Sequence, residues 1–252
     1  MIRLISHCHT HHSFDSSMQV TSIISEAVKH NVNAIIINDH DVFSLSTIEL
    51  KLFNENNIAV LPAIEFTTAE GVHVIGVHDE IKLIQSAPFY YSILGLIDAL
   101  KKLSAKIIFP HPFHATGVYG NRKISDCIFE SLIQNGDGVE VDNYRYGLTP
   151  ASLMSKIIRI NPEMIRLIGS DAHTKGEVAA FVNEYAHVTA NDLLDVQSFI
   201  FTKQPFHLKL KRRSKLYFRF KKIQKTTAYQ YFLNLVSARA RARIKSIIRF
   251  GK

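Results

Sequence analysis

Over residues 1–200 the sequence alternates short apolar, β-rich runs with stretches of helical periodicity, and this alternation constrains the fold more than any other feature. Residues 2–5, 34–37, 58–61, 72–77, 107–109, 139–141 and 167–168 read as strands. Residues 23–30, 44–56, 91–103, 124–134 and 151–160 read as helices between them. Thr21 or Ser22, followed by Glu26, reads as a helix start with an acid in its first turn. Strands that are apolar on both faces and separated by helices predict a parallel α/β sheet or barrel, and seven such runs favour a barrel. At 252 residues the chain can hold one large domain, or one domain and an appendage.

The appendage is visible as a break in charge. The formal net charge of +8 is the sum of two unlike parts. Residues 203–252 hold 16 Lys and Arg and no Asp or Glu, whereas residues 1–202 hold 14 Lys and Arg and all 22 acids. The expected division is therefore 1–206 for the α/β body and 207–252 for a basic extension. Within the extension, residues 209–225 interleave basic and aromatic side chains. Residues 228–250 place Tyr231, Leu235, Ala238, Ala242 and Ile248 at helical spacing among arginines, as in a basic amphipathic helix. A basic tail on an acidic body predicts an anionic partner, either nucleic acid or an anionic membrane surface, with a solvated helix packed on the protein's own acidic body as the alternative. The N-terminus lacks the apolar run of a secretion signal, and no run is long enough to cross a bilayer. With two cysteines, Cys8 and Cys127, the reading is a cytoplasmic protein, with peripheral contact at the inner membrane surface as the variant.

Histidines and acids gather at the ends of the strand-like runs. His7, His9 and Asp15 follow the first, Asp39 and His40 the second, and Glu65 the third. His73 opens the fourth, His111 follows the fifth, and Asp171 and His173 follow the seventh. In parallel α/β folds the C-terminal rim of the sheet is where sites assemble. Residues i and i+2 of a strand face the same side, so His7 with His9, and Asp171 with His173, can each serve one ion. Mixed imidazole and carboxylate donors suit Zn, Mn or Fe better than Ca or Mg. The donors outnumber the needs of one ion, so two or three divalent ions are expected, bridged by a carboxylate. A lone histidine after a strand is usually an ordinary rim residue, but five such segments are not. His11, His12, His78 and His114 read as bystanders or supports.

These segments resemble the PHP (polymerase and histidinol phosphatase) superfamily. The resemblance runs over about residues 2–200 through HCHTHHSFD (7–15), Asp39-His40, PAIE (62–65), HVIG (73–76), His111-Pro112, VEVDN (139–143) and GSDAH (169–173). It implies a distorted (β/α)7 barrel with a trinuclear metal centre. By position, His7, His9, Glu65 and Asp171 would bind one ion, and Glu65, His73 and His111 a second. Asp15, His40 and His173 would bind the third. Many relatives have Asp where this chain has Ile5 and Gly where it has Ser16 and Ser17; neither departure removes a ligand. Asp15 stands where some members have His, which would move preference from Zn toward Mn or Fe.

The expected activity is metal-dependent hydrolysis of a phosphate ester, with a small phosphorylated metabolite or nucleotide as substrate. Glu65, Asp171 and His173 are the expected catalytic residues, and Arg145 is the candidate phosphate clamp, since a guanidinium binds phosphate with two donors. His173 or Asp39 could move protons, although an ion-bound His173 would not be free to. The alternatives are a nuclease whose basic tail holds a strand, and a membrane-surface phosphatase or binding module docked through that tail.

Overall fold

The computed structural model describes residues 1–43, 45–189, 192 and 195–211. The chain divides into a compact unit, Met1–Lys211, and a second, Arg212–Lys252, that lies outside the described residues. The expected helix at 228–250 therefore also lies outside them. Among the described residues no helix is long and apolar enough to cross a membrane.

The fold is α/β, a curled sheet wrapped by helices into a distorted barrel. Strands β1 (Ile2–Cys8), β2 (Ala34–Ile37) and β3 (Ala59–Thr67) pair in parallel. Strand β4 (His73–Val77) runs antiparallel to β3 and to β5 (Lys106–Phe109). Strands β5, β6 (Gly138–Asn143) and β8 (Ile165–Gly169) are again parallel, with the two-residue β7 (Gly147–Leu148) on the far edge of β6. Strand β9 (Phe181–Tyr185) extends the other edge antiparallel to β1, and β10 (Phe206–Lys209) pairs antiparallel to β9. The expected all-parallel sheet is thus a mixed one. The apolar runs marked strands correctly, but they carry no information on strand direction.

Helices α1 (Val20–Lys29), α2 (Thr47–Glu55), α3 (Ile93–Lys102), α4 (Asp126–Asn135) and α5 (Ala151–Ile160) cover the outer face. Ser46, Ser92 and Ser125 cap α2, α3 and α4 by accepting from backbone N–H groups of the first turn. Helix α1 departs from its expected start. It begins at Val20 after Gln19, which makes no side-chain cap, and Glu26 lies in its second turn. Glu26 is buried there and pairs with Lys211.

Alternate strand residues divide between two layers. Ile2, Leu4, Ala34, Ile36, Leu61, Ala63, Ile75, Val77, Ile108, Ile165 and Leu167 pack together inside the curl. Ile5, Cys8, Ile35 and Ile37 pack outward with α1 and α2. The register of β1 against β2 shifts between Ile5 and Cys8. The shift reverses the alternation, so Cys8 joins the outer layer and His7 and His9 turn to the inside. The curl closes where the chain after β8 meets β1. Cys8 bridges Ala172, and His9 N–H donates to the Ala172 carbonyl at 3.0 Å.

Candidate metal centre

The rim of the sheet delivers the histidines and acids to one place. His7 and His9 come from the shifted end of β1, and Glu65 from β3. His40 bridges Glu65 backbone to backbone. His73 opens its strand rather than closing it, because β4 runs antiparallel and its first residue lies opposite Thr67 at the end of β3. His111 follows β5, and Asp171 and His173 follow β8. His111 and Asp171 both hold positive φ, 31° and 47°, which side-chain-bearing residues seldom adopt. The surrounding packing therefore fixes these two against a local preference.

All nine expected ligands meet. The donor atoms of His9, Asp15, His40 and His173 lie within 4.8 Å of one another, as do those of His7, His9 and Asp171, and those of His40, Glu65 and His73. Glu65 joins the groups through its two oxygens. Oε2 is 2.9 Å from His7 Nε2 and 3.1 Å from His9 Nε2, while Oε1 is 3.0 Å from His73 Nδ1 and 3.3 Å from His111 Nε2. Asp15 Oδ2 is 2.8 Å from His173 Nε2 and 3.7 Å from His40 Nε2.

The donor set fits cations. His7 Nδ1 lies 2.8 Å from Glu140 Oε1, which assigns it the donating proton and leaves the Nε2 lone pair of the neutral ring facing Glu65 Oε2 and, at 3.0 Å, His9 Nε2. His173 Nδ1 lies 2.9 Å from the Asp171 carbonyl, so its Nε2 lone pair faces the Asp15 carboxylate. Acceptors at such distances repel unless something positive stands between them. The buried ring nitrogens His40 Nδ1, His111 Nδ1 and His173 Nε2 make no hydrogen bond among the described residues.

The titration of the ion-free site follows. Burial works against a charge on His7, but Glu65, Glu140 and Asp171 overcome it and hold the ring well above its ordinary value. Burial and the neighbouring His173 push His9 down to about 3. Burial opposes ionisation of Glu65 and Asp171 too, yet His7 above all keeps both carboxyls below the usual range. A proton on His7 thus does in part what a cation would do.

Further residues hold this arrangement. Glu140 accepts from His111 N–H and from Asn143 Nδ2, both at 2.8 Å, while it orients His7. The signal for it was an acid inside the apolar run of β6, between Val139 and Val141. Gly169 makes room for that carboxylate, since a Cβ there would stand 1.9 Å from Glu140 Oε1. Glu177 accepts the His173 and Thr174 N–H groups, both at 3.0 Å. Asp39 receives the Thr10 hydroxyl at 2.7 Å, so it latches the loop after β1. Arg145 follows β6, with its N–H donating to Asn143 Oδ1 at 2.9 Å, and its charge helps keep Asp171 ionised. His114 packs on Tyr146, which packs edge-on to His111. His78 accepts from Glu80 N–H, outside the cluster.

Comparison with known proteins bears on the family and the fold. The model of the PHP domain family matches residues 6–246. PsfC of Pseudomonas syringae shares the fold with a TM-score of 0.60 and 18% identity, over 88% of this chain and 98% of its own. A two-domain protein of Bacteroides vulgatus containing a predicted PHP-like metal-dependent phosphoesterase gives 0.60 and 17%, over 82% of this chain and 64% of its own. A protein of Bifidobacterium adolescentis assigned as a metal-dependent phosphoesterase gives 0.54 and 17%, over 69% and 88%. None of the curated proteins matches the sequence at a significant level. The family match covers nearly the whole chain, and the chain belongs to the PHP domain family.

Proposed function

We propose that the protein is a metal-dependent phosphoesterase that hydrolyses small phosphomonoesters at a cluster of two or three transition-metal ions. The observation that carries this reading is the bridging position of Glu65, whose two oxygens face separate sets of imidazoles in one buried pocket. His7, His9, Glu65 and Asp171 would hold one ion, Glu65, His73 and His111 a second, and Asp15, His40 and His173 a third. Bound ions would supply Lewis acidity to phosphoryl oxygens and a lowered pKa to the attacking water. Zn, Mn and Fe suit the donor set.

The chain's own residues do the rest. The side chains of His7, His9 and Glu65 are sealed from solvent, whereas Asp15 and His73 are 25% and 17% exposed, so substrate enters on their side. Arg145 offers a guanidinium to the phosphate, which spreads the charge of the transition state over a fixed donor. Glu140 keeps the His7 lone pair turned inward throughout.

The test is purification with Mn, Zn or Fe supplied, elemental analysis, and a screen with p-nitrophenyl phosphate and phosphorylated metabolites. The expected result is two or three ions per chain and turnover that a chelator abolishes and added metal restores. Glu65→Ala should remove both bound metal and turnover. A folded protein that takes up no transition metal would overturn the reading.

A further inference from the structure

Beside the pocket, the loop after β1 carries two histidines that the pocket does not use. We infer that His11, His12 and Glu49 form an accessory site for one divalent transition-metal ion, of the Zn type, on the outer surface of that loop. Their donor atoms lie within 4.8 Å of one another, and the group shares no residue with the three pocket groups.

The site is built rather than accidental. Glu49 sits in the first turn of α2, where its Oε2 accepts from Ser46 N–H and Ser46 Oγ, both at 2.8 Å. That capping box fixes the carboxylate and leaves Oε1 facing His12 Nε2 at 3.3 Å. The loop backbone is held as well. His12 N–H donates to Thr10 Oγ1 at 3.2 Å, and His11 N–H to the Met18 carbonyl at 2.8 Å. The rings of His11 and His12 stand 4.0 Å apart. A simple ion pair between His12 and Glu49 gains nothing from His11. A shared ion would use all three groups, two imidazoles and a carboxylate. Two histidines and one glutamate are a three-ligand set for Zn with positions left to water, which the exposure of both histidines provides. An ion here would tie the loop that carries Asp15 to α2 from outside the pocket.

The experiment compares the full chain with the double variant His11→Ala/His12→Ala, both saturated with Zn, by equilibrium dialysis and elemental analysis. The expected result is one zinc fewer per chain in the variant, with the pocket's zinc and the basal turnover kept. Glu49→Gln is the second variant, because the amide keeps a carbonyl oxygen for the cap and removes the carboxylate ligand. It should weaken the extra zinc by about tenfold or more, the scale on which loss of even an outlying metal contact is felt. Cobalt substitution gives a further readout, a visible absorption component present in the full chain and missing from both variants. Equal zinc counts and equal affinities in all three proteins would show an ordinary ion pair and overturn the inference. Because its ligands are separate, this result stands or falls apart from the pocket's occupancy.

Discussion

At the residue scale the pocket turns on two glutamates of opposite use, Glu65 reaching into the cluster and Glu140 aiming one of its rings. Glu140 occupies space that only glycine at position 169 leaves open. Gly169→Ala should therefore swing the Glu140 carboxylate off His7 and off the His111 N–H. Loss of such an outer contact costs metal affinity about 10–100-fold. Metal titration of the variant, with circular dichroism to confirm folding, checks this; unchanged affinity would remove Glu140 from the account. Protons compete for the same atoms. His7 and His73 are raised in the folded, ion-free protein, the former by Glu65, Glu140 and Asp171 and the latter by Glu65, in each case against burial. A raised base stabilises the fold below its unfolded value, near 6.5, and that stability is lost as pH rises through the folded value. His9, lowered to about 3 by burial and by His173, acts in the other sense and costs stability only as pH falls below about 6.5. The chelated protein should therefore lose melting temperature as pH rises above about 6.5. Saturating metal should cancel the decline, because ions take unprotonated imidazoles. Scanning calorimetry with and without chelator decides it.

At the scale of elements, the seam between β8 and the β1–β9 edge is made by side chains as much as by ladder. Asn183 of β9 accepts from Ile168 N–H at 2.9 Å and donates to the Ile168 carbonyl at 3.0 Å, and Ser6 Oγ donates to that same carbonyl at 2.9 Å. All three are buried. Asn183→Ala leaves a buried donor unpaired, which costs about 1–3 kcal/mol. Chemical denaturation should show that loss, and since Asp171 follows β8 directly, metal affinity should fall with it. Stability equal to that of the parent chain would mean water replaces the amide at no cost. The seam also marks what could be read from sequence. Strands β1, β2, β5 and β8 announce themselves as apolar runs, and α5 matches its periodicity end to end. Strand β9 was missed because FVNEY interrupts its apolar pattern with Asn183 and Glu184, the former serving the seam and the latter pairing with Arg3. The candidate ligands could be picked out because metal chemistry dictates residue types and spacing. The supporting roles of Glu140 and Glu177 could not, because a supporting acid has no spacing rule of its own, although Glu140 stands out as an acid inside an apolar run. The parity shift in β1 was equally hidden, although it is what lets His7 and His9 face inward below an inward-facing Leu4.

At the scale of the whole molecule the charge asymmetry remains to be used. Residues 1–211 hold 17 Lys and Arg against all 22 acids, while residues 212–252 hold 13 Lys and Arg and no acid. The first basic residues past the barrel are spent on the body itself. Lys209 lies 2.6 Å from Asp142 and Lys211 3.2 Å from Glu26, as β10 joins the sheet edge. The family match continues through residue 246, so the basic segment is part of what resembles the family and not a foreign addition. Its Tyr217, Phe218 and Phe220 alternate with basic residues, a composition that stacks bases while it neutralises phosphates. We propose that residues 212–252 bind an anionic polymer, single-stranded nucleic acid first among them. The full chain should then bind a short oligonucleotide with an affinity that falls as salt rises, the logarithmic slope growing by about 0.7 for each phosphate neutralised. A chain ending at Lys211 should keep hydrolysis of p-nitrophenyl phosphate and lose that binding. If it instead loses sedimentation with anionic vesicles while oligonucleotide affinity was absent from the start, the partner is a lipid surface. If truncation changes neither, residues 212–252 hold neither kind of anionic partner and the proposal fails.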